Sequence, residues 1–194
     1  SRQFDISKID FELLSREFAH TRRKNLLLRD LDELVNQQLS KMMFANPQRI
    51  DYYDRYQEII DAYNAEQNRA TIEKTFMDLM ELASSLDTEQ QRYVREGFSS
   101  DEELSVYDLL FSENLTKQEI DTIKKVSVDL LTKIKQQIAK LDHWTDKQET
   151  KAIVDNLIRN TLWQELPNSY DVSDIQTYQK KIYEYVYMRY PEVA

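Results

Sequence analysis

Few residues in this sequence could do chemistry, and their spacing narrows what that chemistry could be. Glu17-Phe18-Ala19-His20 is a Glu-x-x-His pair. On a helix its carboxylate and imidazole share a face, as the metal ligands of di-iron carboxylate bundles do. Such a centre needs a second copy of the pair. The only other histidine is His143, and three residues before it stands Lys140 rather than glutamate. His20, beside Arg22, Arg23 and Lys24, therefore reads as an exposed or capping residue, and His143, next to Trp144, as a helix-boundary residue. Asp51, Asp54, Glu58 and Asp61 form an acidic stripe of the kind that holds magnesium and diphosphate. On the same helical wheel, however, Tyr52, Tyr56, Ile59, Ile60 and Tyr63 occupy the opposite side, the pattern of a surface helix with a solvated acidic face. A single glycine cannot build a P-loop or a dinucleotide fingerprint, where the backbone must approach phosphate without Cβ clashes. The absence of cysteine excludes a disulfide framework, thiolate zinc sites and cysteine nucleophiles. No catalytic, cofactor-binding or metal-ligating residue is assigned, and the segment is not expected to be an enzyme.

The elements that carry these residues are helices. With one glycine and three prolines in 194 residues, turns needing positive or fixed φ must be few and helices long. Eight amphipathic helices are expected in an all-α, irregular bundle of more than about 65% helix without substantial sheet. The first two run from Ile9 to His20 and from Arg23 to Ala45. Asn46-Pro47 stops the second and starts a third that runs to about Gln67, with asparagine as N-cap and proline at N1. A fourth spans Ala70 to Glu96, with Ile72, Phe76, Leu79, Ala83 and Leu86 on one face, and Gly97 caps its C-terminus. Ser100 with Glu103, Thr116 with Glu119 and Thr145 with Gln148 match the capping-box pattern and are expected to open helices five, six and seven. The eighth begins near Ser173, with Gln176 three residues on, and Pro191 ends it. The chain is read as one domain, 1–194, with a lobe boundary expected in the loop 97–100.

Charge and aromatic placement suggest partners. The net charge is -9, which disfavours wrapping of DNA by the whole surface, but the sign is segregated. Arg16, Arg22, Arg23, Lys24 and Arg29 make a basic N-terminal cluster that could touch DNA or an acidic partner, while residues 66–113 carry twelve acidic residues against four basic ones. In the sixth helix Ile120, Ile123, Leu130, Leu131, Ile134, Ile138 and Leu141 fall within an arc of about 100°. The lysines at 117, 124, 125, 133, 135 and 140 lie outside that arc and are expected to face solvent. The eighth helix holds Tyr178, Tyr183, Tyr185, Tyr187 and Tyr190, more tyrosines than one buried stripe can take. Tyr183, Tyr187 and Tyr190 are therefore candidate partner-binding residues, since tyrosine combines large apolar area with a polar tip. No stretch approaches the roughly 20 apolar residues that span a bilayer, and no basic, apolar leader opens the chain. A cytoplasmic protein without membrane contact is expected, and a chain that starts in mid-pattern is expected to be an excised domain.

The run Met43 to Asn64, MFANPQRIDYYDRYQEIIDAYN, resembles the segment by which the C-terminal domains of type I restriction enzyme R subunits are recognised. The Asn-Pro-x-Arg-Ile start and the Glu-Ile-Ile-Asp-x-Tyr-Asn end carry most of the likeness. Arg92 to Leu110, Leu115-Thr116-Lys117, His143-Trp144 and Leu166-Pro167-Asn168-Ser169-Tyr170 follow in the same order as in that family, so the similarity spans nearly the whole chain. Phe98 stands where leucine is expected, and the region around Trp144 is shorter than in many members. The resemblance implies the helical C-terminal region of an ATP-driven DNA translocase and endonuclease subunit, a region implicated in docking onto methyltransferase and specificity subunits. It also implies that ATP, magnesium and the nuclease and motor chemistry belong to other parts of the parent subunit, and that DNA is met in the assembled complex. Neither a nuclease metal signature nor a motor motif occurs here. From the residues alone, a stand-alone helical protein-interaction scaffold is the alternative.

Overall fold

Asn46 shows how local chemistry sets the architecture. Its backbone amide closes the end of one helix on the Met42 carbonyl, while its side chain accepts the Gln48 amide at 3.1 Å and starts the next turn. Pro47, the first residue of that turn, has no amide to leave unsatisfied there. In a computed structural model that describes residues 6–192, the protein is 79% helical, with no strand among the described residues. The helices are α1 (Phe11–His20), α2 (Lys24–Ala45), α3 (Ile50–Ala65), α4 (Arg69–Gln90), α5 (Arg92–Arg95), α6 (Asp101–Leu110), α7 (Lys117–Ile138), α8 (Gln148–Glu165) and α9 (Val172–Arg189), with 3-10 turns at Ile6–Lys8 and Pro47–Arg49. The chain divides between Arg95 and Glu96 into two compact units.

In the first unit α4 is the central element and packs against both α2 and α3. Phe76, Leu79, Leu82, Ala83 and Leu86 of α4 have no exposed surface, and Leu28, Leu31, Val35, Leu39 and Met42 of α2 meet them. Truncating one such leucine to alanine costs about 3 kcal/mol by lost transfer and cavity terms. Asp10 caps α1 by accepting the Leu13 amide at 3.0 Å, and α1 is held to α4 by the stacked rings of Phe18 and Phe76. The acidic stripe Asp51, Asp54, Glu58 and Asp61 is exposed, whereas Tyr56 is buried and Tyr52, Ile59, Ile60 and Tyr63 are half-buried, as the wheel required.

The expected fourth helix, Ala70 to Glu96, is broken: Gln91 sits at φ -97°, ψ -1° and the chain resumes as the single turn α5. Arginine side chains make the break cheap. Arg92 bonds back to the Glu89 carboxylate at 2.9 Å, and Arg95 donates to the Thr88 carbonyl at 3.0 Å, supplying donors to the end of α4. The helices are accordingly nine among the described residues, not eight.

In the second unit α6 packs on α7, α7 on α8, α8 on α9 and α9 back on α6, so four helices close a ring around one core. The Tyr190 hydroxyl, just past α9, donates to Glu102 in the first turn of α6 at 2.9 Å. Tyr170, just before α9, donates its hydroxyl to the Leu110 carbonyl at the end of α6; α6 and α9 therefore run antiparallel. The apolar arc of α7 packs inward through Ile123, Leu130, Leu131, Ile134 and Ile138. Gly97 adopts φ +84°, a conformation glycine takes without the Cβ penalty.

Caps follow the sequence unevenly. Thr116 and Glu119 form the full reciprocal box. Ser100 accepts the Glu103 amide, but Glu103 takes the Ser99 amide in place of that of Ser100. Two expected starts are corrected. Thr145 does not cap α8: a turn from His143 to Asp146 occupies that stretch, His143 sits at φ +46°, and the helix begins only at Gln148. The start of α9 is capped by Asp171 and Asp174 reciprocally, not by Ser173 and Gln176. A carboxylate at the N-terminus also gains from the helix dipole, which a serine hydroxyl does not.

Candidate docking site

The aromatic residues of α9 are organised by a residue outside it. Trp144, in the α7–α8 connection, is fully buried, and its indole N–H donates to the Tyr190 carbonyl at 2.7 Å. That bond satisfies a carbonyl left open at the end of α9. Tyr183 and Tyr187 each present an edge to the indole, with ring centroids at 6.1 and 5.8 Å and interplanar angles near 80°, the geometry that the ring quadrupole favours. Tyr183 and Tyr187 also lie against each other at 6.2 Å. The result is a fixed aromatic platform whose outer edge is Tyr187, 38% exposed, followed by Met188 at 63%.

The three tyrosines expected together thus sit in different surroundings. Tyr183 is half-buried and supports the platform. Tyr187 faces outward. Tyr190 is engaged within its own unit: its hydroxyl bonds Glu102, its carbonyl takes the Trp144 N–H, and the Lys135 ammonium lies 5.5 Å from its ring centroid. Burial, reinforced by Tyr185 and Glu102, pushes the Tyr190 hydroxyl far above its ordinary range, so it remains a donor at any physiological pH.

The lysines of α7 are less free than a wheel suggests. Lys135 pairs with Glu102, Lys133 bridges Asp129 at 2.9 Å and Glu165 at 3.3 Å, and Lys124 pairs with Glu96 at 3.0 Å while facing the Phe98 and Tyr107 rings. The expectation that these three would be presented to solvent is corrected. Neighbouring helices supply carboxylates and rings opposite them, while Lys117, Lys125 and Lys140 stay exposed.

The basic cluster is also divided. Arg22 and Arg23 are exposed at the α1–α2 corner and Arg16 pairs with Glu12 on the α1 surface. Lys24 folds back instead, donating to the Phe18 carbonyl at 2.5 Å and lying 4.3 Å from the Phe18 ring centroid, which ties it to the end of α1. Arg29 lies 3.9 Å from Glu33, both well exposed, a pair worth little in water. His20 and Glu17 are exposed, and among the described residues no three His, Asp or Glu side chains converge as around a metal ion.

The segments that resemble a known family prove to be the pins of the fold. Arg49 of the Asn-Pro-x-Arg-Ile run is buried and bonds Glu89 at 3.1 Å and the Met42 carbonyl at 3.3 Å. Tyr56 donates to Asp32 at 2.6 Å and accepts from Asn36 at 3.0 Å. Its hydroxyl is pushed up to about 12 by burial and by the Asp32 bond. Trp144 and Tyr170 do the same service in the second unit. Residues 1–190 match the family of the type I restriction enzyme HindI endonuclease subunit-like C-terminal domain. The chain belongs to this family. Comparison with curated proteins and with solved structures gives no match. This restriction-enzyme domain is all-α, and among its described residues no helix is long and apolar enough to cross a membrane.

Sequence reasoning missed a feature of the first unit. Between α1 and α2 runs a groove of about 560 Å³ lined by Ile9, Leu13, Leu14, Leu27, Leu31 and Leu34. The signal was present in α2, whose apolar residues cover more than one face.

Proposed function

We propose that this domain is the assembly module of a type I restriction endonuclease subunit. It docks the motor and nuclease parts of that subunit, which use ATP and magnesium, onto the methyltransferase and specificity subunits in the cytoplasm. The domain itself catalyses no step, and DNA is met only in the assembled complex. The observation that carries this reading, beside membership of the family, is the aromatic edge at Tyr187 and Met188. It is held rigid from behind by Tyr183 and Trp144, so a partner can bury it without paying to order it.

The test replaces Tyr187 by alanine in the full-length subunit and measures binding to the methyltransferase together with DNA-stimulated ATPase activity. Assembly should weaken by about 1–2 kcal/mol, as truncation of an interface anchor does, with urea unfolding unchanged. Tyr190→Ala should behave differently and lose stability, because it strips a hydrogen bond and a ring contact from within the unit. Wild-type assembly by a folded Tyr187→Ala subunit would remove the α9 edge as the docking surface, leaving Arg16, Arg22, Arg23 and Arg29 as the next candidates.

A further inference from the structure

The groove between α1 and α2 exists because α2 carries two apolar stripes. Leu28, Leu31, Val35, Leu39 and Met42 recur at three- and four-residue steps and are buried in the core. Leu27 and Leu34, seven residues apart and half-buried, lie on the flank beside Leu31. A helix whose second flank only met water would carry polar residues there. On the opposite wall α1 contributes Leu14, half-buried, and Leu13, 51% exposed. The walls are therefore two helices, each offering side chains at i, i+3, i+4 or i+7 spacing, a ridged surface into which the ridges of a third helix fit.

The rim is acidic. Asp10 and Glu17 stand on the α1 side, Asp30 and Glu33 on the α2 side, against one lysine, Lys8. Among the described residues neither Glu17 nor Asp30 has an ion-pair partner, and the Arg29–Glu33 contact is long and exposed. Such a rim repels phosphate and so disfavours nucleic acid. It complements a peptide whose apolar stripe is edged by cations.

We infer that this groove is a docking site for an amphipathic helix of a protein partner, its leucine-like stripe seated on Leu13, Leu27 and Leu34 and its flanking lysines or arginines facing Asp10, Glu17 and Asp30. The inference rests on the reading of the domain as a docking module and adds a second contact, of defined chemistry, in the first unit.

The experiment uses the 194-residue chain and a fluorescent helical peptide with a leucine stripe flanked by lysines, with a glutamate-flanked peptide of the same stripe as its counterpart. Fluorescence polarisation should show binding of the lysine peptide and not of the glutamate peptide. Leu27→Gln/Leu34→Gln should weaken it about tenfold or more, Glu17→Gln/Asp30→Asn should weaken it and flatten its salt dependence, and Met77→Gln, an exposed apolar site on α4, should leave it unchanged. Leu13→Gln covers the case in which the double leucine variant fails to fold, since this side chain is already half in water. Three outcomes would overturn the inference. One is equal binding by the parent and the leucine variants, meaning that general negative charge holds the peptide. Another is no binding of the lysine peptide. The third is a concentration-dependent dimer, seen by sedimentation, that the leucine variants abolish, meaning that a second copy fills the groove. Any of these leaves the Tyr187 assembly measurement intact, so failure of the groove and failure of the docking function are separable.

Discussion

Replacing Arg49 by methionine keeps most of its aliphatic volume and removes its charge from a buried position. The side chain is 2% exposed and its partner Glu89 only 6%, so neither group can exchange its bond for water without opening the unit. Removing one member of a fully buried pair costs about 3–5 kcal/mol, because the other charge is stranded. Here Glu89 is not wholly stranded. Arg92 still holds both of its oxygens, at 2.9 Å from Nε to Oε2 and 2.9 Å from Nη2 to Oε1, and the Tyr52 hydroxyl lies at 3.5 Å. The Met42 carbonyl also keeps the Asn46 amide at 2.9 Å. The expected loss therefore falls to about 2–3 kcal/mol, set mainly by the second cation that Glu89 loses. Urea unfolding followed by far-ultraviolet circular dichroism would read it as a lower midpoint. Arg49→Met/Glu89→Met should recover much of the loss, because Arg92, 27% exposed, can turn to water once the buried carboxylate is gone. A single variant within about 0.5 kcal/mol of the parent would refute the reasoning, since that is the range of a surface substitution away from special features.

The same carboxylate predicts an acid limb. Burial alone would raise Glu89, but hydrogen bonds and charge from Arg92 and Arg49 outweigh it and hold the group below its ordinary 4.5. Stability from this group is thus present above about 4.5 and is lost as pH falls through the lowered value; Glu89→Gln should flatten that loss in acid titrations of unfolding. Gly97→Ala places a Cβ in open space but at φ +84°, so it should cost about 1 kcal/mol from backbone conformation alone, and Gly97→Asn should cost less. Near-equal midpoints for glycine and alanine at this position would show that the backbone relaxes.

Several features were legible because they are decided within one or two turns of chain. The Asn46-Pro47 boundary, the Thr116–Glu119 box, the glycine at Gly97 and the apolar face of α7 all depend on neighbours up to four residues away, and each was read correctly from spacing. The all-α class follows from the same local rules. Where local rules failed, a competing group lay nearby: Asp171 outranked Ser173 as a cap, and Arg92 and Arg95 supplied the donors that let α4 end at Gln90.

What only the tertiary structure decided involves partners far apart in sequence. Arg49 meets Glu89 across 40 residues, Trp144 meets Tyr190 across 46, and Tyr190 meets Glu102 across 88. A helical wheel tells which face is polar, not what stands opposite it. Lysines 124, 133 and 135 therefore looked free and Tyr190 looked available, although neighbouring helices engage all four. The same blindness hid the groove: Leu27 and Leu34 have the composition of core residues, and only the placement of α1 beside α2 leaves them lining an open surface. Periodicity along one chain determines where helices form and which faces are apolar. The pairing of those faces, and hence which side chains remain for a partner, is settled only when the helices pack.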